Sequence, residues 1–226
     1  LDLIEEFYSP SLIAEKKLLQ SFCYTKSLDK DIRIHSLECI ESFEELKDVD
    51  NEIEVLRSKS LAREVVNHLG LFVTYKDEDE FPSRELYRTS PVVVSLTPQE
   101  ADKLPHPMEV SMTLQPTGAM DVQITIGEKE YRKQFEKLPA VFPTDEGTIA
   151  FFANNDTLSS FRPENVTKER HITAFINRPF SVAKGYANSL SITPTSKMTS
   201  VVVISLRNSN TRRGKDFINK LLEMYN

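Results

Sequence analysis

Histidines and a run of carboxylates are the residues of this chain that could bind a metal ion. The histidines are His35, His68, His106 and His171. None has a metal-ligating neighbour at helical spacing, and the HExxH pattern is missing. The acidic run at 77–80 lacks the central glycine of an EF-hand loop, and Pro82 follows it. We therefore expect no metal site, and we expect the run 77–80 to be a solvated loop.

Patterns for nucleotide binding and nucleophilic catalysis are also missing. The six glycines are scattered and form neither a P-loop nor GxGxxG, and no GxSxG elbow occurs. Carboxylate pairs such as Glu44 and Glu45 are common in an acidic chain, but spacing does not show whether two of them face a cleft. Tryptophan, frequent in sugar-cleaving clefts, is absent. We expect no catalytic residue and no cofactor, with a glycan-cleaving enzyme as an alternative.

Two groups of cations are candidates for contacts with partners. Arg57, Lys59 and Arg63 lie along one predicted helix and could meet the acidic surface of a neighbouring subunit, or could simply be solvated. Arg212 and Arg213 lie at the predicted start of another helix, where the helix dipole disfavours cations. They could contact a partner or a glycan, or be tolerated at the surface.

Composition limits the classes of partner. The 226 residues carry a net charge of -6 with no basic block, so we expect no nucleic-acid binding. Cys23 and Cys39 lack CxxC spacing, which leaves one disulfide or two free thiols open. No run approaches the roughly 18 apolar residues of a membrane span. The chain opens at Leu1 without a signal peptide, and we expect it to be a segment of a longer protein.

The first 90 residues are predicted to form mainly helices. Apolar spacing predicts helices over 10–23 and 36–47, with a short strand at 31–35 between them. A third helix is predicted over 51–69, with Asn51 as its N-cap and Gly70 as its stop. The segment 71–75 then reads as a strand.

The middle section, 91–176, reads as strands joined by turn residues. The predicted strands are PVVVSL, MEVSMTL, MDVQITI, KEYRKQF, GTIAFFA and HITAFI. This alternation predicts a small antiparallel sheet unit.

The last section mixes both types. A helix is predicted at 180–189 and a strand at 190–193, which Pro194 ends. The apolar run 200–206 predicts a strand buried on both faces. Asn210 then caps a helix that carries Phe217, Leu221 and Tyr225 in register.

This order of elements predicts an α+β fold: a mixed sheet packed with helices, with a β-rich antiparallel insertion. We expect an N-terminal helical segment at 1–50, an α/β base made of 51–90 and 177–226, and an inserted β-rich unit at 91–176.

Two segments resemble the chain-length determinant (Wzz-type) domain of polysaccharide co-polymerases. In the first, the matching residues are Asn51 to Glu54, Leu56 to Ser58, Val65-Val66 and Leu69 to Leu71. The second, 190–226, resembles the closing part of the same domain, with Asn210 and Arg213 at the start of a helix and Gly214 where alanine is usual. The similarity is greatest to Bacteroidetes Wzc-like tyrosine kinases.

The resemblance implies a homo-oligomeric domain on the periplasmic face of the bacterial inner membrane. Such domains regulate the length and export of capsular or surface polysaccharide. Their partners are a polysaccharide polymerase, an outer-membrane export protein and the growing polysaccharide, and a cytoplasmic tyrosine kinase is attached in the full-length protein. The alternative is a soluble cell-envelope carbohydrate-binding module, with the β-rich middle as its binding part.

Overall fold

The computed structural model describes residues 20–26, 32–39, 46–79, 81, 84–154, 168–194 and 201–225. Helices and several antiparallel sheets share this part of the chain, which confirms the expected α+β class. Every described strand pair is antiparallel, whereas the sequence led us to expect a mixed sheet. No described helix is both long enough and apolar enough to cross a membrane.

The N-terminal segment contributes strands to a four-stranded sheet. These are β1 (Gln20–Lys26) and β2 (Ile32–Cys39). The helices expected over 10–23 and 36–47 are therefore wrong at 20–23 and 36–39, while the expected strand at 31–35 is confirmed over 32–35; residues 10–19 lie outside the described part. The pairing of β2 with a strand near the other end of the chain supplies the reason, because such long-range pairing overrides local helical spacing.

Two helices occupy the stretch that was predicted as one. They are α1 (Leu46–Leu56) and α2 (Lys59–Leu69). Ser58 interrupts them, since its extended backbone lets its hydroxyl accept a hydrogen bond from the Leu61 amide at 3.2 Å. Asn51 therefore lies inside α1 and is not the N-cap. Gly70 ends α2 with a φ of 63°, as predicted.

The centre of the molecule is a six-stranded antiparallel sheet. In chain order its strands are β3 (Val73–Asp77), β4 (Arg84–Glu85), β6 (Met108–Leu114), β7 (Met120–Ile126), β8 (Lys129–Phe135) and β11 (Arg170–Ile176). They lie in the order β4-β3-β11-β6-β7-β8. The strand β3, expected in the base, thus pairs with β4 of the base and with β11 of the middle section.

The two faces of this sheet differ sharply. Positions 108, 110, 112 and 114 of β6 and 120, 122, 124 and 126 of β7 are buried and apolar. The alternate positions are polar and partly exposed, as the period of two in a strand requires. One face of the sheet therefore forms the core, and the polar side chains of the other, open face are partly exposed to solvent.

A three-stranded sheet covers part of the buried face. Its strands are β5 (Val92–Ser95), β9 (Ala140–Thr144) and β10 (Gly147–Ala153), and a short helix α3 (Pro98–Lys103) follows β5. Phe135 of β8 packs against Phe142 and Phe151, with ring centroids 6.0 and 5.8 Å away. Neither β9 nor α3 was predicted, although the Thr97–Glu100 capping box of α3 is visible in the sequence.

The remaining helices, α4 (Pro179–Ser189) and α5 (Thr211–Tyr225), form a helical layer with α2. The remaining strands, β12 (Leu190–Pro194) and β13 (Val201–Asn208), complete the four-stranded sheet in the order β1-β2-β13-β12. Here α2 packs against α4 and α5, and α5 packs on β13 and β2. Asn210 caps α5 as predicted, its side-chain oxygen 3.1 Å from the Arg213 amide. Burial alternates along β13 from Val202 to Leu206, so only one face is fully buried, contrary to the prediction.

Candidate functional site

The three cations expected at a subunit contact have different environments. Arg57 lies at the break between α1 and α2, and its guanidinium donates a hydrogen bond to the carbonyl oxygen of Ile192 in β12. Arg63 forms an ion pair with Asp102, whose other carboxylate oxygen accepts from the Phe180 amide at 3.0 Å. Both arginines therefore join elements within the chain.

Lys59 differs from these two arginines. It is exposed in the first turn of α2 and forms no ion pair with a residue of the described ranges. Of the three residues on this helical face, it is the one whose charge is left to solvent.

The adjacent arginines at the start of α5 also separate. Arg212 is exposed, while Arg213 is only 8% exposed. One guanidinium nitrogen of Arg213 is 2.9 Å from a Glu85 carboxylate oxygen, and another donates to the Leu71 carbonyl oxygen. Arg213 therefore ties α5 to β4 and to the turn before β3, and of the two arginines only Arg212 presents its charge to solvent.

An aromatic pair lies beside Arg213. Tyr186 of α4 stacks on Phe217 of α5, with centroids 4.3 Å apart. Burial raises the pKa of the Tyr186 hydroxyl, although hydrogen bonds with Asn208 and Arg213 oppose that rise. The stacking fixes α4 against α5.

Besides the contacts of Arg213, a second set of polar contacts joins α5 to the segment 84–90. The Tyr87 hydroxyl donates to a carboxylate oxygen of Asp216 at 2.8 Å, and Arg88 lies 3.7 Å from the same oxygen. Burial, and then the hydrogen bond to Asp216, raise the pKa of Tyr87. Local sequence gave no sign of this contact, because its partners lie 129 residues apart.

A groove of about 420 Å³ opens between the end of α2 and strand β5. Tyr87, Arg88 and Asn154 contribute polar groups to its lining, and Val93 and Phe72 contribute apolar surface. Asn154 donates to the carbonyl oxygens of Arg88 and Ser90, so it closes one end of the groove. Tyr87, Arg88 and Asn154 are engaged in structural contacts, whereas Asn67 Oδ1, also in the lining, is buried with no hydrogen-bond partner among the described residues.

The acidic run at 77–80 is not simply a solvated loop. Asp77 is 1% exposed and forms an ion pair with Arg170. Asp79 accepts from the His171 amide at 2.8 Å and contacts its ring nitrogen at 2.9 Å. Burial pushes the pKa of Asp79 upward, but the hydrogen bonds and charge of His171 outweigh it and lower this pKa. The prediction of a solvated loop is therefore wrong for Asp77, which is the buried last residue of β3, whereas Asp79 is exposed as expected.

Metal ligands do not converge among the described residues. Within those ranges, no group of three or more His, Cys, Asp or Glu side chains could hold a metal ion. Cys23 and Cys39 lie on β1 and β2, and their cross-strand partners are His35 and Val201 respectively.

A scan against protein-family models and a search of curated proteins each found no match to the chain.

Proposed function

We propose that this chain is the periplasmic oligomerisation domain of an inner-membrane polysaccharide co-polymerase. In this proposal it regulates the chain length and export of capsular or surface polysaccharide. The full-length protein would carry membrane spans and a cytoplasmic tyrosine kinase outside these residues. The domain itself would act by assembly, with a polysaccharide polymerase and an outer-membrane export protein as partners.

One observation carries the proposal: the two family-like segments, distant in sequence, form one packed unit. Arg213 of the second segment donates to the Leu71 carbonyl of the first, across 142 residues. Tyr225 donates to Glu52 across 173 residues. Between these contacts, α2 packs along α5. Two segments that belong to one domain core must pack together in this way, and the packing therefore supports the proposal.

The exposed charges of this unit suit contacts with other copies of the chain. Lys59 and Arg212 are exposed and form no ion pair with described residues, while the net charge of the chain is -6. A cationic position on an acidic protein favours contact with an acidic surface of another subunit.

An apolar row on the three-stranded sheet also favours a protein partner. Val93 and Phe152 are directly paired across β5 and β10 and are 39% and 46% exposed, and Val141 of β9 is 53% exposed. Exposed apolar groups that lie together favour protein contacts over solvent. A ring of identical subunits needs two different surfaces on each copy, and this row is a candidate for the second.

The proposal is tested by deleting the gene in its host and resolving surface polysaccharide by gel electrophoresis. We expect the modal length of the polymer to be lost and to return when the full-length gene is supplied. An unchanged length distribution in the deletion strain would contradict the proposal. If the purified chain then bound glycans as a monomer, the carbohydrate-binding alternative would be favoured.

A further inference from the structure

The open face of the six-stranded sheet is an array of polar side chains. Directly paired positions share a face, so the ladders define rows that run across five strands. The central row is Lys76, Thr173, Ser111, Gln123 and Arg132. The row beside it is His171, Thr113, Asp121 and Gln134. Hydroxyl and amide groups thus occupy the middle of the face and charged groups its ends.

The surface of this face is concave. A shallow depression of about 470 Å³ is lined by side chains of both rows. They are Ser111, Thr113, Asp121, Gln123, Arg132 and Gln134. The small side chains Ser111 and Thr113 lie on β6, and the longer ones on β7 and β8 rise beside them. This arrangement gives a trough with hydrogen-bonding groups along its floor and wall.

From this face we infer a binding site for a polysaccharide chain. The inference rests on the proposed function for the source of that polymer, and it assigns the contact to this face and not to the helical layer. Neighbouring strands lie about 4.8 Å apart, which is close to the length of one pyranose ring. Within the depression, Ser111, Gln123 and Arg132 on three neighbouring strands therefore offer one polar group for each of three successive sugars.

The charge of the face favours a neutral or weakly charged glycan. Lys76 and Arg132 stand against the carboxylates of Glu109, Asp121 and Glu130, so no strong field of either sign results. Glu130 is already held by Arg132 at 2.9 Å. A polyanion such as nucleic acid needs clustered cations, which these rows do not supply.

The side-chain types argue against a protein as the occupant. The cores of protein interfaces are enriched in aromatic residues, Met and Arg, and are depleted in Ser. The middle of this face consists of the partly exposed Ser111, Thr113 and Gln123, with Thr173 buried beside them. Phe175 lies beside these rows on β11, with the Lys76 ammonium 5.0 Å from its ring centroid. Hydroxyl and amide groups instead match the hydroxyl groups of a sugar chain.

The test is affinity gel electrophoresis of the purified chain through gels that contain surface polysaccharide extracted from the source organism. We expect the polymer to retard the wild-type chain. Ser111→Gln fills the trough and should weaken binding about tenfold, which corresponds to one lost hydrogen-bonded contact. Gln123→Ala should weaken it by a smaller factor. Ser191→Gln, a matched change at an exposed strand position on β12, should leave retardation unchanged.

Each outcome bears on the inference. Equal retardation of the wild-type chain, Ser111→Gln and Ser191→Gln would overturn it, as would the absence of any retardation. Retention of modal polymer length in cells that carry a non-binding variant would remove the site's role but leave the proposed function standing. Circular dichroism of Ser111→Gln checks that any lost binding is not caused by unfolding.

Discussion

The helical layer and the six-stranded sheet are stabilised in different ways. In the helical layer, buried polar clasps such as Arg213 with Glu85 join elements 128 residues apart. In the sheet, paired strands bury alternating apolar side chains along β6 and β7 with few charges between them. These polar contacts orient the elements of the helical layer, while continuous apolar packing holds the strands of the sheet together. Removing a single buried charge should therefore cost more in the helical layer than in the sheet.

The largest effect is expected from Arg213→Met, which keeps the apolar stem of the side chain but removes its charge. Glu85 and the Leu71 carbonyl would lose their partner inside the fold, which should lower the free energy of unfolding by about 3 kcal/mol. Urea denaturation measures this change. Arg212→Met is the matched control and should stay within about 0.5 kcal/mol of wild type. Equal losses in the two variants would show that the clasp does not hold α5.

Asp77→Asn tests the corresponding polar contact of the sheet. Asp77 is buried, but its partner Arg170 keeps 34% of its side chain exposed, so solvent compensates part of the loss. We expect a loss of about 2 kcal/mol. Glu78→Gln at the exposed neighbour should have almost no effect. If Asp77→Asn were more destabilising than Arg213→Met, the contrast between the regions would be reversed.

Tyr75→Phe tests the junction of the two sheets. The Tyr75 hydroxyl accepts from the Val94 amide at 2.9 Å and lies 3.4 Å from the Val94 carbonyl oxygen. Losing these contacts should cost about 1 kcal/mol at neutral pH, measured by thermal unfolding.

The same tyrosine should contribute to loss of stability in alkali. Burial raises its pKa from 10.0 to about 12, against the opposing hydrogen bond from Val94. The folded chain therefore holds this proton more tightly than the unfolded chain, so stability is full below pH 10 and is lost as the pH rises toward 12. Tyr75→Phe should lose stability less steeply over this interval; identical slopes would contradict the assignment.

The smallest effect is expected at the break between α1 and α2, where the sequence predicted a single helix. Ser58→Ala removes the N-cap of α2 and should cost about 1 kcal/mol. Asn51→Ala should cost nothing measurable, because Asn51 is exposed inside α1. Chemical denaturation distinguishes these results, and a larger loss for Asn51→Ala would favour one continuous helix.

Several features of the fold could be predicted from the sequence because they depend on local spacing. Gly70 and Asn210 ended and began helices as predicted, and the alternation in β6, β7 and β11 gave those strands correctly. The helix expected over 36–47 failed at 36–39 because pairing with β13 is a long-range contact that local spacing does not contain.

The buried polar residues could have been recognised by extending the same periodicity. Asp77 follows Val73 and Tyr75 at intervals of two, on the face of β3 that meets the core. Arg213 precedes Phe217 and Leu221 at intervals of four, along the buried stripe of α5. Their partners, Arg170 and Glu85, could not be found in this way, since neither lies near them in sequence.

The open sheet face was only partly foreseeable. Alternation predicts that Ser111, Thr113, Asp121 and Gln123 lie opposite the core. The order β11-β6-β7-β8, which aligns them into rows, is set by the tertiary fold. The residue types of the trough could therefore be predicted from alternation, whereas their alignment into rows could be found only from the order of the strands.

We propose that the exposed cations Lys59 and Arg212 contribute to the subunit assembly that sets polymer length. It is tested most directly by modal polysaccharide length in a deletion strain that carries full-length protein with Lys59→Glu and Arg212→Glu. The matched control carries Lys137→Glu and Lys168→Glu, which make the same change in charge at exposed positions away from that layer. We predict that the first pair shifts or abolishes the modal length and that the control retains it. Wild-type length in both strains would contradict the account.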